Sequence, residues 1–131
     1  MITGECFCGS VTYQYDGKLH NARSCHCSRC RKAFSSAASA YAEVDKDKFT
    51  WLSGKELLTY YPSNKEWGKY FCRRCGSTLC GVHNGNVHGV TLGCLNGDVN
   101  VTLQMHIFVG SKAHWDELPQ GDVAQYDEFP T

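Results

Sequence analysis

The chain has 131 residues, 13 Lys plus Arg against 13 Asp plus Glu, and is 42% hydrophobic and 20% charged. That composition is globular and argues against disorder, and the zero formal charge leaves no bulk positive field to recruit nucleic acid or anionic lipid. The start, MITGECFCGS, has neither a basic n-region nor an apolar run, and no stretch approaches the roughly 18 apolar residues that span a bilayer. A single cytoplasmic domain over 1–131 is expected, with no nucleic-acid or membrane partner.

Taken in chain order, short segments rich in β-branched and aromatic residues recur at 11–15, 38–44, 49–52, 57–61, 69–72, 78–82, 87–92 and 101–109. The first of them, Val11-Thr-Tyr-Gln-Tyr15, alternates with period two, the mark of a half-buried strand. Ser53-Gly54, Asn84-Gly85 and Asn96-Gly97 punctuate the series, and the latter two suit tight hairpins. Helix is expected only at 28–34 and 113–118. The pattern predicts a mainly-β domain without repeats or linkers. Trp51, Tyr60, Tyr61 and Trp67 read first as core or strand-face residues.

Cysteine is the unusual residue: there are nine, an odd count, with no export signal. Seven fall in three tight clusters, Cys6-Phe-Cys8-Gly9, Cys25-His-Cys27-Ser-Arg-Cys30 and Cys72-Arg-Arg-Cys75-Gly76. In a reducing compartment such clusters bind metal more readily than they form disulfides. Side chains at i and i+2 of a strand share a face, so a C-x-C can aim two sulfurs at one point; a C-x-x-C wraps its sulfurs round an ion through a tight turn. A redox C-x-x-C at Cys72 and Cys75 is disfavoured because no βαβ pattern surrounds it.

Seven sulfurs do not make two closed four-sulfur sites; they divide as four plus three. Cys6, Cys8, Cys72 and Cys75 would close a structural zinc site. Cys25, Cys27 and Cys30 would leave one coordination position free, as catalytic zinc sites do. In the other division, Cys80, Cys94 or a histidine supplies a fourth ligand and both sites are structural. Cys80 and Cys94 otherwise read as small buried hydrophobes in apolar strands.

All five arginines (Arg23, Arg29, Arg31, Arg73, Arg74) lie within two residues of a clustered cysteine, and Lys32 adjoins Arg31. They either neutralise thiolate charge or, at Arg29, Arg31 and Lys32, hold an anionic substrate beside the open metal. His26 lies between two ligand cysteines and points away from the ion in an extended segment, which suits a packing role; His106 alternates within a strand and fits core or cleft. From Asp116 onward there are acids and no Lys or Arg, a solvated surface segment.

Four stretches in one order, Gly4-Glu-Cys6-Phe-Cys8-Gly9-Ser-Val11, Cys25-His-Cys27-Ser-Arg-Cys30-Arg-Lys32, Phe71-Cys72-Arg-Arg-Cys75-Gly76-Ser and His106-Ile-Phe-Val-Gly-Ser-Lys112-Ala-His-Trp115, resemble the glutathione-dependent formaldehyde-activating enzyme family, also called the GFA/CENP-V domain family. The sequence departs from that pattern at Ser35, where Gly is common, and at His114, where Pro is usual. The resemblance implies an Mss4-like fold of bent antiparallel β-sheets stapled by zinc, with two Zn2+ per chain. It gives the structural ion to Cys6, Cys8, Cys72 and Cys75 and the catalytic ion to Cys25, Cys27 and Cys30. It also implies a carbon–sulfur lyase of the S-(hydroxymethyl)glutathione synthase type, joining glutathione or a similar small thiol to formaldehyde or another aldehyde. In that reaction Arg31 or Lys32 would stand nearest the developing alkoxide. The rival is a non-catalytic, zinc-stapled module that only binds glutathione or another thiol.

Overall fold

The computed structural model describes residues 1–131, and strands dominate it. They are β1 (Ile2–Glu5), β2 (Thr12–Tyr15), β3 (His20–Cys25), β4 (Ser39–Glu43), β5 (Phe49–Ser53), β6 (Leu58–Pro62), β7 (Trp67–Cys72), β8 (Thr78–His83), β9 (Asn86–Thr91), β10 (Met105–Ile107) and β11 (Ala124–Gln125). One α-helix, α1 (Ser28–Phe34), and four single 3-10 turns complete the fold. No helix is long and apolar enough to cross a membrane. The chain divides into two compact units, Met1–His20 with Ala42–Asn100, and Asn21–Tyr41 with Val101–Thr131.

In the first unit β1, β2 and β5 form an antiparallel sheet with Gly4 opposite Tyr13 and Tyr13 opposite Trp51. The period-two pattern of β2 reaches the structure intact: Tyr13 and Tyr15 are buried while Thr12 and Gln14 are half-buried. Strands β6 to β9 make an antiparallel meander. Asn84 and Gly85, with φ of 49° and 82°, form the turn between β8 and β9; two positive φ values match the right-handed twist of a tight hairpin. The core gathers Cys6, Val11, Tyr13, Cys72, Leu79 and Val90. Burying Leu79 or Val90 contributes about 1.5–3 kcal/mol each. Because Cys6 and Cys72 belong to this core, the apolar packing itself fixes one sulfur of each pair. Tyr13, Phe49, Trp51, Tyr70 and Tyr60 continue as a run of ring contacts 4.8–6.3 Å between centroids.

In the second unit β10 lies between β3 and β11 and is parallel to both, with Met105, His106 and Ile107 opposite Arg23, Ser24 and Cys25. This differs from the long strand expected over 101–109: only Met105–Ile107 pair, because residues 101–104 are held by little more than the Gln104 N–H to Ala22 carbonyl bond. The helix expected at 113–118 is a single turn, closed by the Asp116 N–H on the Ala113 carbonyl, and Pro119 stops it from continuing. Nor does Asn96-Gly97 make a hairpin. Gly97 has φ of 68°, but the Asn96 N–H goes to Thr3 O, tying this loop to β1. Strands β1, β3 and β11 fall outside the β-branched and aromatic segments that mark the other strands.

Candidate metal centres

The first cysteine group is built on two loops of similar design. In one, Gly9 N–H donates to the Cys6 carbonyl at 3.0 Å, with Gly9 at φ 78°. In the other, Gly76 N–H donates to the Cys72 carbonyl at 2.7 Å, with Gly76 at φ 84°. A residue with a Cβ pays a steric cost at such φ, so each knuckle ends on glycine. A serine follows each glycine and receives a bond from the opposite loop: Phe7 N–H to Ser77 Oγ at 2.8 Å, and Arg74 Nη1 to Ser10 Oγ at 3.3 Å. The four sulfurs of Cys6, Cys8, Cys72 and Cys75 lie within 4.8 Å of one another. Cys6 to Cys8 is 3.6 Å and Cys8 to Cys72 is 3.9 Å. A tetrahedral ion with bonds near 2.3 Å needs sulfur separations of about 3.8 Å, so the donor set fits a four-thiolate ion. No pair is a disulfide.

The second group sits where β3 runs into α1. Cys25 ends the strand, Cys27 is the helix N-cap with extended backbone, and its Sγ accepts from Cys30 N–H at 3.3 Å. A thiol at the cap thus satisfies one of the orphan amides that open every helix. The helix closes through Ser35, in the left-handed conformation, with Ser36 N–H on the Arg31 carbonyl at 3.1 Å. The sulfurs of Cys25, Cys27 and Cys30 lie within 4.8 Å of one another, and the group ends at three. Cys25 N–H donates to Ser39 Oγ at 3.3 Å.

Proton sharing inside each group follows from the geometry. The hydrogen bond with Cys25 is the leading cause that holds Cys30 down, to about 6, and the same bond is the leading cause that pushes Cys25 up. At Cys75, burial pushes upward but is outweighed by the hydrogen bonds of Ser77, leaving the thiol at about 5. Burial raises its neighbour Cys72 to about 11. Hydrogen bonds from Ser10 lower Cys8 as well, so each group holds at least one thiol inclined to the anionic form that ligates metal.

The basic residues separate. Arg74 is engaged with Ser10, and Arg23 lies over the Tyr41 ring at 5.1 Å. Arg31 and Lys32 occupy the last turn of α1, where positive charge complements the helix dipole. Arg31 Nη2 donates to the Ser111 carbonyl at 3.4 Å, and its buried Nε has no partner. Lys32 is exposed. Cys80 is 1% exposed and Cys94 packs against the first unit's core, its thiol toward the Thr78 carbonyl.

The His26 ring meets His106, Nε2 to Nδ1, at 3.0 Å. The ring is 3% exposed, and burial, then His106, lowers its pKa. Sequence reasoning missed Asp116, whose carboxylate lies 3.9 Å from His26 Nδ1, and the serines Ser10, Ser77 and Ser39. The serines after Gly9 and Gly76 were legible as a repeated Cys-Gly-Ser ending; nothing local marked Asp116 or Ser39.

A mainly-β chain that gathers four thiols in one unit and three in the other belongs to the class of cysteine-rich proteins able to hold metal ions. The family described as glutathione-dependent formaldehyde-activating enzyme matches residues 1–111, and the chain belongs to that family, GFA. It is 26% identical over 111 residues to a Schizosaccharomyces pombe protein named an uncharacterized lyase, a match covering 83% of this chain and 79% of the relative. It is also similar to the crystal structure of a Rhodobacter sphaeroides protein, with TM-score 0.58 and 29% identity over 75% of this chain and 91% of that one. The fold is of the GFA, Mss4-like kind, and family and relative together support a lyase-type enzyme.

Proposed function

We propose that the protein is a zinc-dependent carbon–sulfur lyase of the glutathione-dependent formaldehyde-activating type, acting in the cytoplasm as one domain over 1–131. The reaction adds the sulfur of glutathione, or of a similar small thiol, to the carbonyl carbon of formaldehyde or a related aldehyde. The S–H proton leaves, and the carbonyl oxygen gains a proton to become the hydroxyl of the adduct; the reverse cleaves the carbon–sulfur bond. Cys6, Cys8, Cys72 and Cys75 would hold a structural Zn2+, and Cys25, Cys27 and Cys30 a catalytic one. Bound there, the ion would lower the pKa of an incoming thiol and so favour the thiolate.

The observation that carries this reading is the count of the second group: three converging thiols and no fourth. A closed four-donor set favours structure, whereas three donors leave room for a substrate. Arg31 and Lys32, which follow Cys30 directly in the chain, would supply the cation that meets the developing alkoxide or a substrate carboxylate.

The test is formaldehyde–glutathione exchange followed by NMR with wild-type and Cys30→Ser protein. Acceleration by the wild type, lost in the variant, is expected. Equal rates would remove the catalytic assignment, and saturable glutathione binding without acceleration would leave a thiol-binding module in its place.

A further inference from the structure

The residue between the first two thiols of the trio is anchored at two points and faces a carboxylate at a third. His26 N–H donates to the Ile107 carbonyl at 3.0 Å. Its Nε2 lies 3.0 Å from His106 Nδ1, and its Nδ1 faces the Asp116 carboxylate at 3.9 Å. His26 and His106 are 3% and 7% exposed, and His26 Nδ1 has no hydrogen-bond partner. Ser24 Oγ, at 3.5 Å from Nε2, and the positive charge of Lys112 also act on the ring.

Two ring nitrogens 3.0 Å apart cannot both carry a proton, so one donates and the other accepts. The choice is made at the far side of His26. A carboxylate only accepts, so Asp116 favours the proton on His26 Nδ1; the bare Nε2 then accepts from the Nδ1–H of His106. Asp116 is itself held in place. Its N–H donates to the Ala113 carbonyl at 3.1 Å, and Lys112 Nζ donates to its carbonyl at 2.9 Å.

We propose that Asp116 is a positioning residue of the three-thiol centre: facing the unpartnered Nδ1 of His26, its carboxylate fixes the ring tautomer through which His26 and His106 lock the Cys25–Cys27 segment onto β10. Carboxylate–histidine pairs commonly orient metal ligands through the ligating ring. Here the histidine does not ligate; it holds the backbone between two residues that do. This inference rests on the reading of Cys25, Cys27 and Cys30 as a metal centre and not on the reaction assigned to it.

Long-range proton–nitrogen NMR of the zinc-loaded protein reads the ring nitrogens directly. Wild type should show His26 protonated on Nδ1, with its Nε2 accepting from the Nδ1–H of His106. In Asp116→Ala the His26 proton should leave Nδ1, and zinc at the trio should be held about tenfold less tightly in competition with a chromophoric chelator. The four-thiol site serves as the internal reference. Asp116 lies on a turn with its side chain 23% exposed, so the variant should fold, and Asp116→Asn, whose amide oxygen still accepts, should restore the tautomer. The proposal is overturned by a wild-type His26 protonated on Nε2, or by an Asp116→Ala protein whose ring signals or zinc retention are unchanged. If exchange of glutathione with formaldehyde proves uncatalysed while these spectra come out as expected, the reaction falls and the positioning role stands.

Discussion

Tyr13 presents a buried hydroxyl that nothing answers, and removing that one oxygen should make the protein more stable. The residue is 0% exposed, its Oη has no hydrogen-bond partner, and its ring lies so close over Gly4 that a Cβ there would come within 2.2 Å of it. A buried polar group left unpaired costs about 1–3 kcal/mol. Tyr13→Phe keeps the ring contacts with Phe49 and Trp51 and loses only the small packing contribution of one atom. The net gain should be about 1–2 kcal/mol. For a chain of 131 residues each kcal/mol moves the melting midpoint by roughly 3–4 °C, so a rise of about 3–8 °C is expected. Urea titrations and melts of both proteins at one free-zinc concentration measure it. A variant less stable than wild type by 1 kcal/mol or more would show that the hydroxyl makes a bond in solution, and the argument from its isolation would be wrong.

The same burial predicts alkaline sensitivity. It raises the pKa of Tyr13 and pushes Cys80 from 9.0 up to about 12, so the folded chain keeps protons that the unfolded chain releases. That stability is fully present below pH 9 and drains away above it; the urea midpoint should hold from pH 7 to 9 and then fall, less steeply in Cys80→Ala. Ser35 has φ of 50° at the end of α1, where Gly is at ease, so Ser35→Gly should gain about 0.5–1 kcal/mol in the same titration. Gly54 is the opposite case: with φ of 77° and a Cβ position 2.2 Å from the Ser10 carbonyl oxygen, Gly54→Ala should lose about 2–4 kcal/mol. Elemental analysis should find two zinc ions per chain and one in Cys30→Ser, while Cys75→Ser should fail to fold, since a closed structural site contributes folding energy outright.

What the sequence disclosed, it disclosed through local pattern. The alternation at Val11 to Tyr15, the Asn84-Gly85 turn and the residue limits of α1 are written in neighbouring side chains, and the structure matches them closely. The gathering of the thiols was legible because each cluster needs only two or three residues of context. What stayed hidden depends on partners distant in the chain. Strand β10 shrinks to three residues because parallel pairing with β3 decides its length, not its own β-branched content. Asp116 looked like one acid among several in a solvated tail, and only the fold brings it to His26. Likewise Asn96-Gly97 has the composition of a hairpin turn, yet its amide is claimed by Thr3.

The pairing of β3 with β10 has an implication for biosynthesis. His26 and His106 are 80 residues apart in the chain, and Cys25 lies opposite Ile107. As the polypeptide leaves the ribosome, its cysteine trio emerges well before Met105–Ile107, the strand that pairs with β3 on one side. A chain interrupted before residue 105 would carry all three thiols but not the strand that lies opposite Cys25.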